Sequence, residues 1–222
     1  MKTVIYLIRH AESIANARGL YVGITDYPLS EYGHQQARDL ANKLAGAEIN
    51  RIYSSPLRRA YETATPFAER ACKPVVIVPD LIEVNAGAWE GFKWTYLVRN
   101  YPDEVRYIKA TGHHTGMLGG EEYNNVAARM HRALSSIALA NPGKTVMALS
   151  HAQAIRAFLC KAGDISYSQI KDKIGDIPNA SITTLEYDAD TKNFEVKAIG
   201  QESIEDEPVY FIGFNTLAKT FV

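Results

Sequence analysis

Apolar residues in this chain come as short unbroken runs alternating with longer stretches of helical spacing. Thr3 to Ile8 is near-continuously apolar and rich in β-branched residues, the pattern of a strand buried on both faces of a mostly parallel sheet. Arg51 to Ser54 predicts a second short strand, Val75 to Val78 between Pro74 and Pro79 a third buried one, and Lys144 to Ser150 another. Between them the period changes. Ser30 is a good N-cap for a helix from Glu31 to about Ala45, with Ala37, Leu40, Ala41 and Leu44 recurring, and Ser55-Pro56 starts a second helix with proline in its first turn. Phe92 to Ala110 predicts two helical pieces broken at Pro102. Gly119 to Glu122 opens a long helix to about Ala140, with Val126, Met130, Leu134, Ile137 and Ala138 on one face, and the helix after His151 ends near Gly163. Ser181–Tyr187 and Phe194–Ile199, joined by residues 188–193, read as an antiparallel hairpin; the tail beyond it has one apolar run, Tyr210-Phe211-Ile212. Alternating strands and helices with no linker, repeat or charge block predict one α/β domain over residues 1–222.

The strand ends carry the chemistry. In an open α/β sheet, ligands bind beyond the carboxyl ends of the strands, where strand order reverses. The first strand ends on Arg9-His10, with Glu12-Ser13 beginning a helical pattern, and a later strand ends on Ser150-His151-Ala152. Either histidine alone is accounted for by a strand-end hydrogen bond; the pair together with Arg9 points to a pocket. Glu83 follows the third strand and is delivered to the same edge. Arg58 and Arg59 fall in the first turn of a helix, about 100° apart, so at most one aims at the pocket. The loop from Ala17 to Tyr27 contains Gly19 and Gly23. Trp89, Trp94, Tyr96, Tyr101 and Tyr107 read as core or lid residues, and His131 as a structural residue. His113-His114, in a glycine-flanked loop, match no metal motif.

Composition narrows the partners. A net charge of −1 without a basic stripe gives no footprint for nucleic acid or an anionic membrane. Cys72 and Cys160 lack metal-ligand spacing and read as inert thiols, and the apolar N-terminal run is too short for a signal segment or a span, so a cytoplasmic location is expected. No oligomeric state is indicated.

The segments Leu7-Ile8-Arg9-His10-Ala11-Glu12-Ser13 with Asn16, Asp26 to Gly33, and Tyr53-Ser54-Ser55-Pro56-Leu57-Arg58-Arg59-Ala60-Tyr61-Glu62-Thr63-Ala64 form a recognisable series. It continues through Leu81-Ile82-Glu83, Gly87-Ala88-Trp89-Glu90-Gly91, Gly119-Gly120-Glu121 and Ser150-His151-Ala152. In this order, over most of the chain, they resemble the histidine phosphatase superfamily in its phosphoglycerate-mutase-like branch. The resemblance implies a three-layer α/β/α sandwich whose central sheet is mostly parallel with one antiparallel strand. It implies a phosphomonoesterase acting on a small-molecule phosphate ester through a phosphohistidine on His10, without metal or cofactor. Arg9, Arg59 and a protonated His151 would stabilise the phosphoryl group, Glu83 would be general acid then base, and Asn16, Gly23 and Ala152 would contact phosphate or substrate. Arg58 is left as a surface charge.

Two features depart from the family. Alanine follows both signature histidines where glycine is usual, at Ala11 and Ala152. Val84-Asn85 follows Glu83, whereas the mutase branch places arginine directly after its acid, which favours a phosphatase over the alternative, a phosphoglycerate-mutase-type phosphotransferase. A non-catalytic phospholigand-binding protein is the third reading, against which Glu83 counts, because binding alone does not need it.

Overall fold

The computed structural model describes residues 1–111 and 119–204. His113, His114 and Tyr210-Phe211-Ile212 lie outside the described residues.

A six-stranded sheet runs β4-β3-β6-β1-β7-β8, built from β1 (Lys2–Arg9), β3 (Arg51–Ser54), β4 (Val75–Ile77), β6 (Thr145–Ser150), β7 (Ile182–Asp188) and β8 (Asn193–Gln201). β4, β3, β6 and β1 are parallel. β7 runs antiparallel to β1 and to β8, and is thus the one reversed strand. The alternation of side chains sorts the core into two layers. Ile5, Leu7, Val146, Ala148 and Leu185 face α6 (Tyr123–Leu139) and α7 (Ala152–Ala162). Ile8, Ile52, Met147, Leu149 and Ile182 face α2 (Glu31–Lys43) and α3 (Arg58–Ala71). Both faces of the central strands are covered, which is why β1 and β6 read as continuous apolar runs. The three-layer sandwich matches the expectation.

Local rules account for most helix ends. Ser30 accepts a hydrogen bond from Gly33 N–H at 2.9 Å and caps α2. α4 (Trp94–Asn100) stops before Pro102, which begins α5 (Pro102–Thr111). On α6 the predicted stripe of Val126, Met130, Leu134, Ile137 and Ala138 is buried.

Several local expectations need correcting. The helix after β3 begins at Arg58 rather than at Ser55-Pro56, because Ser55 N–H still pairs with Leu149 O, prolonging the strand, and Leu57 is the N-cap. β4 is an edge strand of three residues with Val76 and Ile77 38% and 44% exposed, so proline-bounded β-branched residues here signalled a strand without signalling burial. Glu12-Ser13 leads into a single turn, α1 (Ile14–Ala17), capped by Ser13. A two-stranded ribbon, β2 (Leu20–Tyr21) with β5 (Phe92–Lys93), was too short for its period to register. It ties the loop after α1 to the cluster of Trp89, Leu97 and Val105, on which Tyr21, Trp94 and Tyr101 pack. His131 rests against Phe158 and Phe194, in keeping with a structural role.

α2 closes on the chain just after β1. A Cβ added at Gly33 would lie 1.9 Å from Glu12 O, a backbone atom that cannot step aside. Gly33→Ala should therefore destabilise the protein by about 1–3 kcal/mol through overpacking, read as a lowered denaturant midpoint with unchanged slope. An unaltered midpoint would show that α2 is not pressed against Glu12.

Candidate active site

β1 and β6 pair in parallel with Arg9 opposite Ser150, so the next residue of each strand, His10 and His151, emerges at the same edge. Their ring centroids are 5.0 Å apart. Both imidazoles are buried. β1 and β6 stand where strand order reverses, since β3 and β4 lie to one side and β7 and β8 to the other.

His10 Nδ1 lies 2.6 Å from Ala11 O. A carbonyl can only accept, so Nδ1 carries the proton and Nε2 holds the lone pair of a neutral ring. Burial, reinforced by Arg59 and Arg9, pushes the His10 pKa well below its ordinary 6.5. His151 is depressed in the same way, by burial first and then by Arg59 and His10, so in this state it is neutral rather than protonated. Its Nε2 sits 2.7 Å from Ser55 Oγ.

The two arginines of the pocket are held by backbone carbonyls. Arg9 Nη1 donates to Ile177 O at 2.6 Å. Arg59, 1% exposed, donates from Nη1 to Thr25 O at 2.9 Å and from Nη2 to Gly23 O at 2.6 Å. Burial presses the Arg9 pKa down to about 10, with Glu83 opposing, and lowers that of Arg59, so both stay cationic at neutral pH. Arg58, one position away, has a side chain 61% exposed and pairs with Glu62 at 3.0 Å, the surface position expected of it. Among the described residues, Arg9 Nε and His151 Nδ1 are buried without a hydrogen-bond partner. Two unsatisfied positions near guanidinium groups that are bonded to carbonyls rather than paired directly with carboxylates make an anion-binding arrangement.

Glu83 reaches the site from beyond β4. Its carboxylate accepts from Val84 N–H at 2.9 Å, Gln153 N–H at 3.1 Å and Ala154 N–H at 2.8 Å. It thereby caps α7, which frees the N-cap residue His151 to turn its ring toward Ser55 and the pocket. Asn16 is half-buried, its Oδ1 accepting from Ser13 N–H at 3.0 Å and from Asn179 Nδ2 at 3.4 Å. Gly23 N–H is spent on Glu90, and Ala152 is the first residue of α7.

Four supports escaped the sequence reading. Thr63 Oγ1, one turn after Arg59, accepts from Ala11 N–H at 2.9 Å. Glu90 accepts N–H bonds from Gly23, Ile24, Thr25 and Ala86, and a Cβ at Gly23 would lie 1.8 Å from Val84 O. Asn179 Nδ2 donates to His10 O at 2.9 Å. Arg129 bonds the carbonyls of Asp80, Ile82 and Glu83 as well as the Glu121 carboxylate, fixing the segment that presents Glu83. Thr63 and Glu90 stand inside segments that carry the family resemblance but had no role assigned, and Arg129 stands three residues after Val126, a charge within an apolar stripe.

Residues 5–199 match the histidine phosphatase superfamily, branch 1. The chain belongs to the histidine phosphatase superfamily. Phosphoserine phosphatase 1 of Hydrogenobacter thermophilus is 36% identical over 154 residues, covering 69% of this chain and 73% of that protein. The metal-independent phosphoserine phosphatase of Arabidopsis thaliana is 31% identical over 186 residues, 82% of this chain and 76% of its own. A solved structure of a phosphoserine phosphatase mutant from Entamoeba histolytica in complex with phosphoserine superposes with a TM-score of 0.78 at 25% identity, covering 90% of this chain and 98% of that one. No helix among the described residues is long and apolar enough to cross a membrane. In this histidine phosphatase no three His, Cys, Asp or Glu side chains of the described residues group as metal ligands.

The depressed imidazole pKa values fix a direction for stability. Below about pH 6.5 the unfolded chain takes up protons that folded His10 and His151 refuse, so stability is full above that pH and is lost as pH falls toward the folded pKa values. Each pH unit of that interval costs at most about 1.4 kcal/mol per ring. Melting temperature followed from pH 8 to 5 should drop on the acid side, less steeply in a variant with both histidines replaced by asparagine. Parallel profiles for variant and wild type would count against neutral buried rings.

Proposed function

We propose that the chain, acting as one histidine phosphatase domain, hydrolyses a small phosphate ester by way of a phosphohistidine on His10. The observation that carries this reading is the tautomer of His10: Nδ1–H is tied to Ala11 O, leaving Nε2 as a neutral nucleophile near the guanidinium groups of buried Arg59 and half-buried Arg9.

In the first step Nε2 attacks phosphorus, the P–N bond forms and the P–O ester bond breaks. The leaving oxygen takes a proton from Glu83. The ring becomes cationic as it is phosphorylated, and the Nδ1–H bond to Ala11 O strengthens with that charge. In the second step water attacks phosphorus, a P–O bond forms as the P–N bond breaks with its electron pair returning to Nε2, the water's proton passes to Glu83, and phosphate leaves a neutral His10. Arg9 and Arg59 hold equatorial oxygens throughout, and they act on developing charge without reorganising because carbonyls already fix them. Asn16, Gly23 and Ala152 border the substrate, Gly23 through its carbonyl on Arg59. Phosphoserine is the first ester to test, given the relatives named above. Cys72 and Cys160 are free thiols, which suits a reducing cytoplasmic setting.

Purified protein incubated with p-nitrophenyl phosphate and with phosphoserine should turn over equally with and without EDTA, and an acid quench should trap phosphate on His10. His10→Ala should lose about 1,000-fold or more in kcat and trap no label while melting cooperatively. A His10→Ala enzyme of near wild-type rate would remove His10 as nucleophile. Discharge of the phosphoenzyme onto phosphoglycerate in preference to water would make the protein a mutase.

Glu90 provides a second test. Its carboxylate and Arg59 grip residues 23–25 from opposite sides, one by the N–H groups and the other by the carbonyls. In Glu90→Gln an amide N–H₂ replaces an acceptor facing those donors, the loop slackens and Arg59 loses its aim. KM should rise about tenfold; unchanged kinetics would show that the loop holds Arg59 without Glu90.

A further inference from the structure

Ser55 plays no part in the chemistry above, yet its hydroxyl makes a close contact with a ring of the pocket, lying 2.7 Å from His151 Nε2. Both residues are 0% exposed. Because Ser55 prolongs β3 through its N–H bond to Leu149 O, it is delivered to the same sheet edge as the two histidines.

Proton accounting determines which atom donates. Ser55 Oγ accepts from Leu57 N–H at 3.3 Å. Its own hydrogen needs an acceptor, and among the described residues His151 Nε2 is the one within reach. With the hydroxyl donating to Nε2, the single proton of a neutral imidazole resides on Nδ1. That atom is buried and unpartnered, on a ring that feels the charge of Arg59 and Arg9. The reverse arrangement, Nε2–H donating to Oγ, strands a buried hydroxyl hydrogen and turns a lone pair toward phosphoryl oxygens, which is repulsive.

We propose that Ser55 is a positioning residue that locks His151 as the Nδ1–H tautomer, so that a neutral imidazole donates a hydrogen bond to a phosphoryl oxygen. The proposal rests on the phosphohydrolase reading of the site. It gives the pocket a third donor without a third full positive charge beside Arg9 and Arg59, whose mutual repulsion already burdens the buried edge. His10 and His151 thereby hold opposite roles as neutral rings. Each has Nδ1 protonated, but His10 spends that proton on Ala11 O and keeps Nε2 for attack, whereas His151 has its Nε2 occupied and keeps Nδ1–H for the substrate.

Two-bond 1H–15N correlation spectra of the full chain labelled with 15N-histidine, recorded at pH 7.5, test this directly, with the His151 signals identified by their loss in His151→Asn. Wild type should show His151 with Nδ1 protonated and Nε2 as acceptor, and added inorganic phosphate should shift the Nδ1 resonance. Ser55→Ala should move the proton to Nε2 or mix the tautomers and lower kcat about 10- to 100-fold, and Ser55→Thr should restore both. A wild-type His151 protonated on Nε2 or on both nitrogens would overturn the proposal, as would Ser55→Ala with the Nδ1–H tautomer and the wild-type rate. Should Ser55→Ala fail to fold, the wild-type spectrum with and without phosphate decides alone. The Nδ1–H pattern with a phosphate-induced shift, found in a protein that turns over no phosphate ester, would uphold the tautomer lock and overturn only the phosphohydrolase reading.

Discussion

The register of β1 against β6 is the constraint from which the site follows. Because Arg9 stands opposite Ser150, the residues after them face each other across one inter-strand spacing, and two imidazoles meet with no loop to hold them. A slip of one residue would exchange the faces of every side chain on a strand, putting Ile5 and Leu7 where Ile8 belongs. Burial on both faces makes that slip prohibitive, so the apolar layers that stabilise the sheet also set the catalytic geometry. Fold stability and site precision are in this respect one quantity.

Electrostatics at that edge follow from how the cations are satisfied. Arg9 and Arg59 are bonded by carbonyls, whose dipoles meet the hydrogen-bond demand of the guanidinium groups without cancelling their charge. Arg129, by contrast, is paired with Glu121 and also braces three carbonyls of the Glu83 segment. Directly paired carboxylates for the first two would have quenched the field that an incoming dianion needs; with carbonyls as partners it is opposed only by carboxylates such as Glu83 beyond direct contact. Burial first, reinforced by that field, keeps both histidines neutral, which a nucleophile requires and which asks of His151 a donor that is not a cation.

The sheet, the helix pairs on its faces and the delivery of Arg9, His10, Glu83 and His151 to one edge were legible in the sequence because each rests on a local pattern, an apolar run with a polar residue at its end. What stayed hidden is held by partners remote in sequence. Asn179 supports His10 across 169 residues and Glu90 supports Gly23 across 67; neither has a period or a cap that would mark it. The burial of β4 was misjudged for a related reason, since composition reports how well a residue fits a strand and not how far the strand lies from the edge of the sheet. Ser55 was visible as a residue but was read as a helix start, when its place at the end of β3 is what gives it a role.

The alanines after the two histidines can be weighed on the same terms. Glycine at such a turn is required if φ is positive or if a methyl has nowhere to go. Among the described residues the positive-φ positions other than glycine are Cys72, Asp164, Ala180 and Lys192, so neither Ala11 nor Ala152 is strained. The Ala11 methyl has a place, in a small buried cluster with Leu29 and Ala37 beneath α2, and its N–H is bonded to Thr63. α2 can come close enough to enclose that methyl because Gly33 lets it approach the Glu12 backbone. The close approach that glycine permits is thus found on the opposing helix, and the turn that carries the nucleophile is left with a side chain that anchors it.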